Sequence, residues 1–242
     1  MGNRILVPVY KGYGSALAGL GEITDDVKAL FGNPKDFMLV LFTGGSDVDP
    51  SFYGHTSPEG ICYTNPSRDY MERTIFAKAL KHAIPMAGIC RGAQFINVMS
   101  GGVLMHDITH HDMGEHQVVA PAYSDLSITT NTLHHQMIVP PKDGYTLAWT
   151  AENLSTHYIG DEDKKMDYDG PEVEAVWIPA TNCLGAQWHP ETMHPKADGY
   201  KWFKYMVQQQ LALGPVEFTA MYAEHSYEKI HGGKHVRRSE VP

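Results

Sequence analysis

The chain reads as one α/β domain, a mostly parallel sheet flanked by helices with antiparallel strands added at an edge. Three observations carry that reading. The first half alternates apolar runs with helical stretches, the pattern of strands joined by helical crossovers. The second half shifts to shorter strand-like runs with turn-rich links such as Pro140-Pro141-Lys142-Asp143-Gly144. A length of 242 residues with 43% hydrophobic content is enough to bury one substantial core.

In chain order, a strand is expected over residues 4–10, a helix near 15–31, and a second strand over 37–42. A helix over 68–82 sets Met71, Ile75, Ala79 and Leu80 on one stripe and keeps Arg73, Lys78 and Lys81 elsewhere. It leads into an apolar run, 84–89, that reads as a short buried strand. The helix over 91–99 turns Phe95, Ile96, Val98 and Met99 inward. Shorter strands follow over 117–120, 126–130, 145–150, 173–178 and 183–188, the last leaving a turn at Thr181-Asn182. A helix over 199–213, with Phe203, Met206, Val207 and Gln210 on one side, closes a domain assigned to residues 1–214. Residues 215–242 read as a polar, irregular C-terminal tail, basic over 234–238.

The most informative segment is Gly88-Ile89-Cys90-Arg91-Gly92-Ala93-Gln94. A cysteine between a buried strand and a helix, with glycine two residues to either side, has the shape of a nucleophile elbow. A sharp strand-to-helix turn leaves no room for a Cβ beside the nucleophile. It also sets the sulfur at a helix N-terminus, where partial positive charge favours an anion. Near the end of the core stands Gly185-Ala186-Gln187-Trp188-His189-Pro190-Glu191. His189 falls at a strand's end, and Glu191 can return to the same side. Nucleophile, base and orienting carboxylate then form a triad of Cys90, His189 and Glu191.

With these motifs the chain resembles the class I glutamine amidotransferase-like superfamily, and within it the γ-glutamyl hydrolase (peptidase C26) branch. The similarity begins at Thr43-Gly44-Gly45-Ser46-Asp47-Val48-Asp49-Pro50-Ser51-Phe52-Tyr53-Gly54 and continues through Arg68-Asp69 to the elbow. Gly101-Gly102-Val103-Leu104-Met105-His106-Asp107, Asn131-Thr132-Leu133-His134-His135-Gln136 and the Gln-Trp-His-Pro-Glu block complete the series. The resemblance implies a flavodoxin-like fold and a cysteine enzyme that opens a γ-glutamyl amide through a thioester. It implies an oxyanion hole from the backbone N–H groups of Arg91 and Gly45. It further implies substrate contacts at Gly44 and Gln94 and from the backbone around His134, His135 and Gln136. The chain departs from the branch in carrying one strand-helix unit before the glycine-glycine loop instead of two. Residues 155–170, with Asp161-Glu162-Asp163-Lys164-Lys165, read as a charged insertion.

Composition bounds the rest. A formal charge of −9 without long basic runs argues against a nucleic-acid surface. No window is apolar enough to span a bilayer, and the start shows no signal peptide. Three cysteines at scattered spacings form no disulfide framework, so a reducing, cytoplasmic setting is expected, with Cys62 and Cys183 as bystanders. The cluster of His106, Asp107, His110, His111, Asp112 and His116 has the density of a metal site. Elbow chemistry needs no metal or cofactor, so these residues are read as surface or pocket-lining. The expected ligand is a small γ-glutamyl substrate or glutamine. Three functions compete: a free-standing hydrolase, a glutaminase subunit serving a separate synthetase partner, and a non-catalytic binding member of the fold. A homo-oligomer is left open.

Overall fold

The computed structural model describes residues 2–112, 114–123 and 127–232. The basic run at 234–238 lies outside the described residues, as does the first residue of the strand expected at 126–130.

Nine strands form the central sheet: β1 Arg4–Leu6, β2 Glu22–Thr24, β3 Phe37–Phe42, β4 Met86–Ile89, β5 Glu115–Val119, β6 Ile128–Asn131, β7 Tyr145–Thr150, β8 Val173–Ile178 and β9 Cys183–Ala186. Their spatial order is β2-β1-β3-β4-β9-β8-β7-β5-β6. The first five strands are mutually parallel, and from β9 onward each pairing is antiparallel. The α/β expectation therefore holds, and so does the shift to antiparallel strands in the second half. β3 is buried on both faces, as a central parallel strand requires: Val40 and Phe42 join one core, Leu39 and Leu41 the other.

The helices are α1 Val27–Gly32, α2 Pro66–Lys81, α3 Arg91–Met99, α4 Asp198–Tyr222 and α5 Tyr227–Ile230. α4 fulfils its sequence pattern, with Phe203, Met206, Val207 and Gln210 buried. The Gln210 amide donates to the Met86 and Asn182 carbonyls at 3.1 and 2.8 Å, satisfying acceptors at one end of the sheet.

Three expectations are corrected. The helix near 15–31 is instead a 3-10 turn at Lys11–Leu17, the added strand β2 and the short α1. Glycines at 19 and 21 disfavour a continuous helix there, and Asp26 caps α1 by accepting from Ala29 N–H at 3.0 Å. On α2 the buried face carries Arg68, Asp69 and Glu72 ahead of Ile75, Phe76 and Ala79, while Met71 and Leu80 face outward. These buried charges are paired with one another and with Arg91, which is what makes their burial tolerable. The segment beyond Leu213 is not irregular up to Gly232. α4 kinks at Gly214-Pro215 and continues, stacking Phe218 on Trp177 at 4.4 Å between ring centroids. The charged insertion is ordered as well: Tyr158–Ile159 pairs with Lys165–Met166 on one side and Asp107–Ile108 on the other in a small sheet, and Asp163 meets His106 Nδ1 at 2.9 Å.

Candidate active site

The candidate site lies at the carboxyl ends of the parallel strands, where open α/β sheets bind ligands. β4 ends at Ile89 and α3 begins at Arg91, leaving Cys90 alone to make the turn. Its backbone takes φ 51°, ψ −117°, a region that disfavours any residue with a Cβ. The turn is held from both sides: Cys90 N–H donates to Ala186 on β9 at 2.8 Å, and its carbonyl accepts from Gln94 at 3.1 Å. Gly92 explains why α3 can start so close to β3. A Cβ there would lie 2.2 Å from the Phe42 carbonyl oxygen.

β9 carries the chain to His189, whose Nδ1 meets Glu191 Oε1 at 2.7 Å. Asn131 fixes the same residue by its backbone: the Asn131 side-chain oxygen accepts from His189 N–H at 2.9 Å, and its amide donates to the His189 carbonyl at 3.1 Å. Nε2 is left buried without a hydrogen-bond partner of good geometry among the described residues. Burial would lower the pKa of this imidazole. Hydrogen bonding and negative charge from Cys90 and Glu191 outweigh burial and push it up to about 10. Cys90 is 7% exposed, and its sulfur sits 3.7 Å from the Leu133 carbonyl.

The glycine-glycine loop is clamped from below. Arg68 donates to the Gly44 carbonyl at 2.8 Å and the Thr43 carbonyl at 2.7 Å, and its Nε meets Glu72 at 3.1 Å. The Arg91 guanidinium pairs with Glu72 and Asp69 and donates to the Ser46 carbonyl at 3.1 Å. One buried ionic network therefore ties the elbow to the loop. Gly45 has φ 138°, and a Cβ there would overlap the Arg68 guanidinium at 2.2 Å. The Arg91 N–H opens α3, where a helix start leaves backbone donors without intrahelical partners.

A cavity of about 700 Å³ opens beside His189 and the glycine-glycine loop, lined by Tyr10, Tyr13, Gly44, Gly45, Leu133 and His189 among others. That volume suits a small-molecule ligand. Of the residues expected around a substrate, Gly44 and Gly45 line the cavity. Gln94 does not: it is buried, and its amide donates to the Gln136 carbonyl at 3.2 Å and to Gln187 at 3.3 Å. Gln136 is also buried, donating toward Cys62. His134 points away, its Nε2 3.5 Å from Glu174 on β8. His135 lies between Asp47 and Asp107, both at 3.1 Å; hydrogen bonds to these carboxylates push its pKa up to about 10. Asn131, Thr132 and Leu133, just before them, are what face the cavity.

Tyr10 and Tyr13 went unnoticed in the sequence. They line the cavity from the turn after β1, although β2 and α1 do supply a second strand-helix unit before the glycine-glycine loop. Tyr13 lies 6.1 Å from the His189 ring, and a Cβ on Gly44 would come within 2.5 Å of its hydroxyl. Their signal was available: Tyr10-Lys11-Gly12-Tyr13-Gly14 follows the carboxyl end of a parallel strand.

Comparison with known proteins agrees with this architecture. The glutamine amidotransferase-like protein YvdE of Lactococcus lactis subsp. lactis (strain IL1403) is 30% identical over 172 residues, 63% of this chain and 65% of that protein. Gamma-glutamyl-gamma-aminobutyrate hydrolase PuuD of Escherichia coli (strain K12) is 28% identical over 174 residues, 65% of each chain. The chain thus spans just under two thirds of these relatives' lengths. Among solved structures, PurLQS from Thermotoga maritima shares the fold at a TM-score of 0.53 and 16% identity, covering 86% of this chain and 99% of that one. The Peptidase C26 family model matches residues 35–191, from just before β3 through Glu191, and the chain belongs to that family.

Proposed function

We propose that the protein hydrolyses a γ-glutamyl amide bond through a glutamyl thioester on Cys90. The observation that carries this reading is the buried His189, bonded to Glu191 and electrostatically coupled to a strained, turn-forming Cys90. Cys90 thiolate attacks the γ-carbonyl, and the developing oxyanion accepts from the N–H groups of Arg91 and Gly45. The Arg68 and Arg91 side chains hold the two donor segments in fixed relation. His189, protonated while paired with the thiolate, gives its proton to the departing amine. It then takes one from the water that releases glutamate. Glu191 holds the imidazole orientation throughout.

The hydrolase named among the relatives acts on a γ-glutamyl amine, and a leaving group larger than ammonia is our choice for this chain as well. The test is turnover of glutamine and of a panel of γ-glutamyl amines by wild type and by Cys90→Ala, each with and without cell extract. We expect wild type alone to cleave a γ-glutamyl amine and the variant to be inactive. Undiminished activity in Cys90→Ala refutes the mechanism. Activity on glutamine that appears only with extract favours a glutaminase subunit instead.

A further inference from the structure

Behind the loop that carries Leu133 lies a second polar cluster that the proposed reaction does not use. Glu174, on the buried strand β8, has both carboxylate oxygens buried with no hydrogen-bond partner among the described residues. Three imidazole nitrogens surround its Oε1: His111 Nδ1 at 3.3 Å, His116 Nε2 at 3.3 Å and His134 Nε2 at 3.5 Å. All three nitrogens are likewise buried without a hydrogen-bond partner there. From this geometry we infer a divalent metal site, most suited to Zn²⁺, built on His111, His134 and Glu174, with His116 as the fourth ligand through its approach to Glu174.

The distances favour coordination over hydrogen bonding. A charge-assisted N–H···O bond closes to roughly 2.7–2.9 Å, and none of these contacts does. A tetrahedral zinc with bonds of about 2.0–2.1 Å sets its ligand atoms about 3.3 Å apart; the three nitrogens lie 3.3–3.5 Å from Oε1, and the ligand atoms of His111, His134 and Glu174 all lie within 4.8 Å of one another.

The tautomers agree with this assignment. His111 Nε2 lies 3.0 Å from the Glu172 carboxylate, so that nitrogen carries the proton and Nδ1 presents a lone pair. His134 Nδ1 lies 3.0 Å from the Gln136 carbonyl oxygen, so it too is the protonated nitrogen and Nε2 is bare. The Gln187 amide, 3.1 Å from the same nitrogen, donates to that same carbonyl. An imidazole whose second nitrogen donates to a carboxylate or carbonyl is the usual support of a metal ligand.

Four protein ligands, three of them fully buried or nearly so, describe a closed structural site and not a catalytic one. Its place suggests its task. The His111 carbonyl accepts from His134 N–H and from the Thr132 hydroxyl, both at 2.7 Å. A metal there would pin the segment whose Leu133 carbonyl faces the Cys90 sulfur.

The experiment measures metal by mass spectrometry in protein purified without chelators or immobilised metal. Wild type, Glu174→Gln and His116→Ala are compared. Stripped wild type is then reloaded with Zn²⁺ and with Co²⁺. We expect about one zinc ion per wild-type chain, a fall to below about a tenth in both variants, and tetrahedral d–d bands with Co²⁺. Stripping should lower the Tm and Zn²⁺ should restore it. Should the variants fail to fold, the cobalt spectrum and the Tm cycle of wild type decide alone. Wild type that holds no metal and whose Tm ignores added Zn²⁺ and Co²⁺ overturns the inference. So does full zinc retention in both variants. Neither readout depends on the proposed hydrolysis.

Discussion

Gly92→Ala is the most revealing single substitution, because Gly92 is where the elbow and the glycine-glycine loop are held together. The added Cβ would stand 2.2 Å from the Phe42 carbonyl oxygen, 2.4 Å from its carbon and 2.8 Å from Thr43 N. All three are backbone atoms at the end of a central strand, so no side chain can swing aside. The start of α3 must retreat from β3 by roughly 0.8 Å before the closest contact reaches the 3.0 Å that real Cβ atoms keep. Overpacking of this kind costs about 1–3 kcal/mol of stability. The retreat also separates Arg91 N–H from Gly45 N–H, the two proposed oxyanion donors. A misplacement of about 1 Å can cost on the order of 100-fold in rate. Urea denaturation should show a folded but weakened protein, and steady-state kinetics a kcat/KM lowered roughly 100-fold. A folded Gly92→Ala protein with wild-type kcat/KM would refute the oxyanion assignment.

Other consequences concern strain, charge and the C-terminal segment. Cys90→Gly should be more stable than Cys90→Ala by about 1 kcal/mol in urea unfolding, reversing the usual order, because φ 51° suits only glycine without strain. Glu72→Ala removes a shared partner of Arg68 and Arg91 and should cost about 3–5 kcal/mol by the same measurement. His189 should remain protonated at pH 8 by imidazole NMR, and Glu191→Gln should move its titration down toward the ordinary value of about 6.5. Because its folded pKa is raised, the stability it contributes is complete below about pH 6.5 and lost as pH rises through about 10. The stability gap between wild type and Glu191→Gln should therefore narrow over that window. Phe218→Ala should cost about 3–5 kcal/mol, since its ring is fully buried against Trp177 and Tyr222.

What was legible in the sequence follows from how local each signal is. The elbow could be read because strand, turn glycines and helix lie within a dozen residues, and the turn's sterics select the residues around Cys90. The His189-Glu191 pair was legible for the same reason, being two residues apart at a strand's end. The Arg68, Glu72 and Arg91 network was hidden, since α2 presents charged residues at positions where periodicity expects apolar ones. Met71 and Leu80 drew attention to the wrong face of that helix. Phe218 and Tyr222 escaped notice because Gly214-Pro215 reads as a stop, whereas the chain only kinks there. Gln94 was assigned to substrate by motif position, but position along a motif does not say which way a side chain turns, and its amide is bonded inside the core. In the histidine cluster, the carboxylate that organises His111, His116 and His134 comes from β8, about 40 residues past the nearest of them, where no spacing rule would search.

The most direct test of the central claim is to label the protein with an electrophilic glutamine analogue, such as a γ-diazoketone, and map the adduct by peptide mass spectrometry. The account predicts about one equivalent on Cys90, none on Cys62 or Cys183, and loss of labelling in His189→Ala. Adduct on Cys62 or Cys183 with Cys90 left unmodified would contradict it.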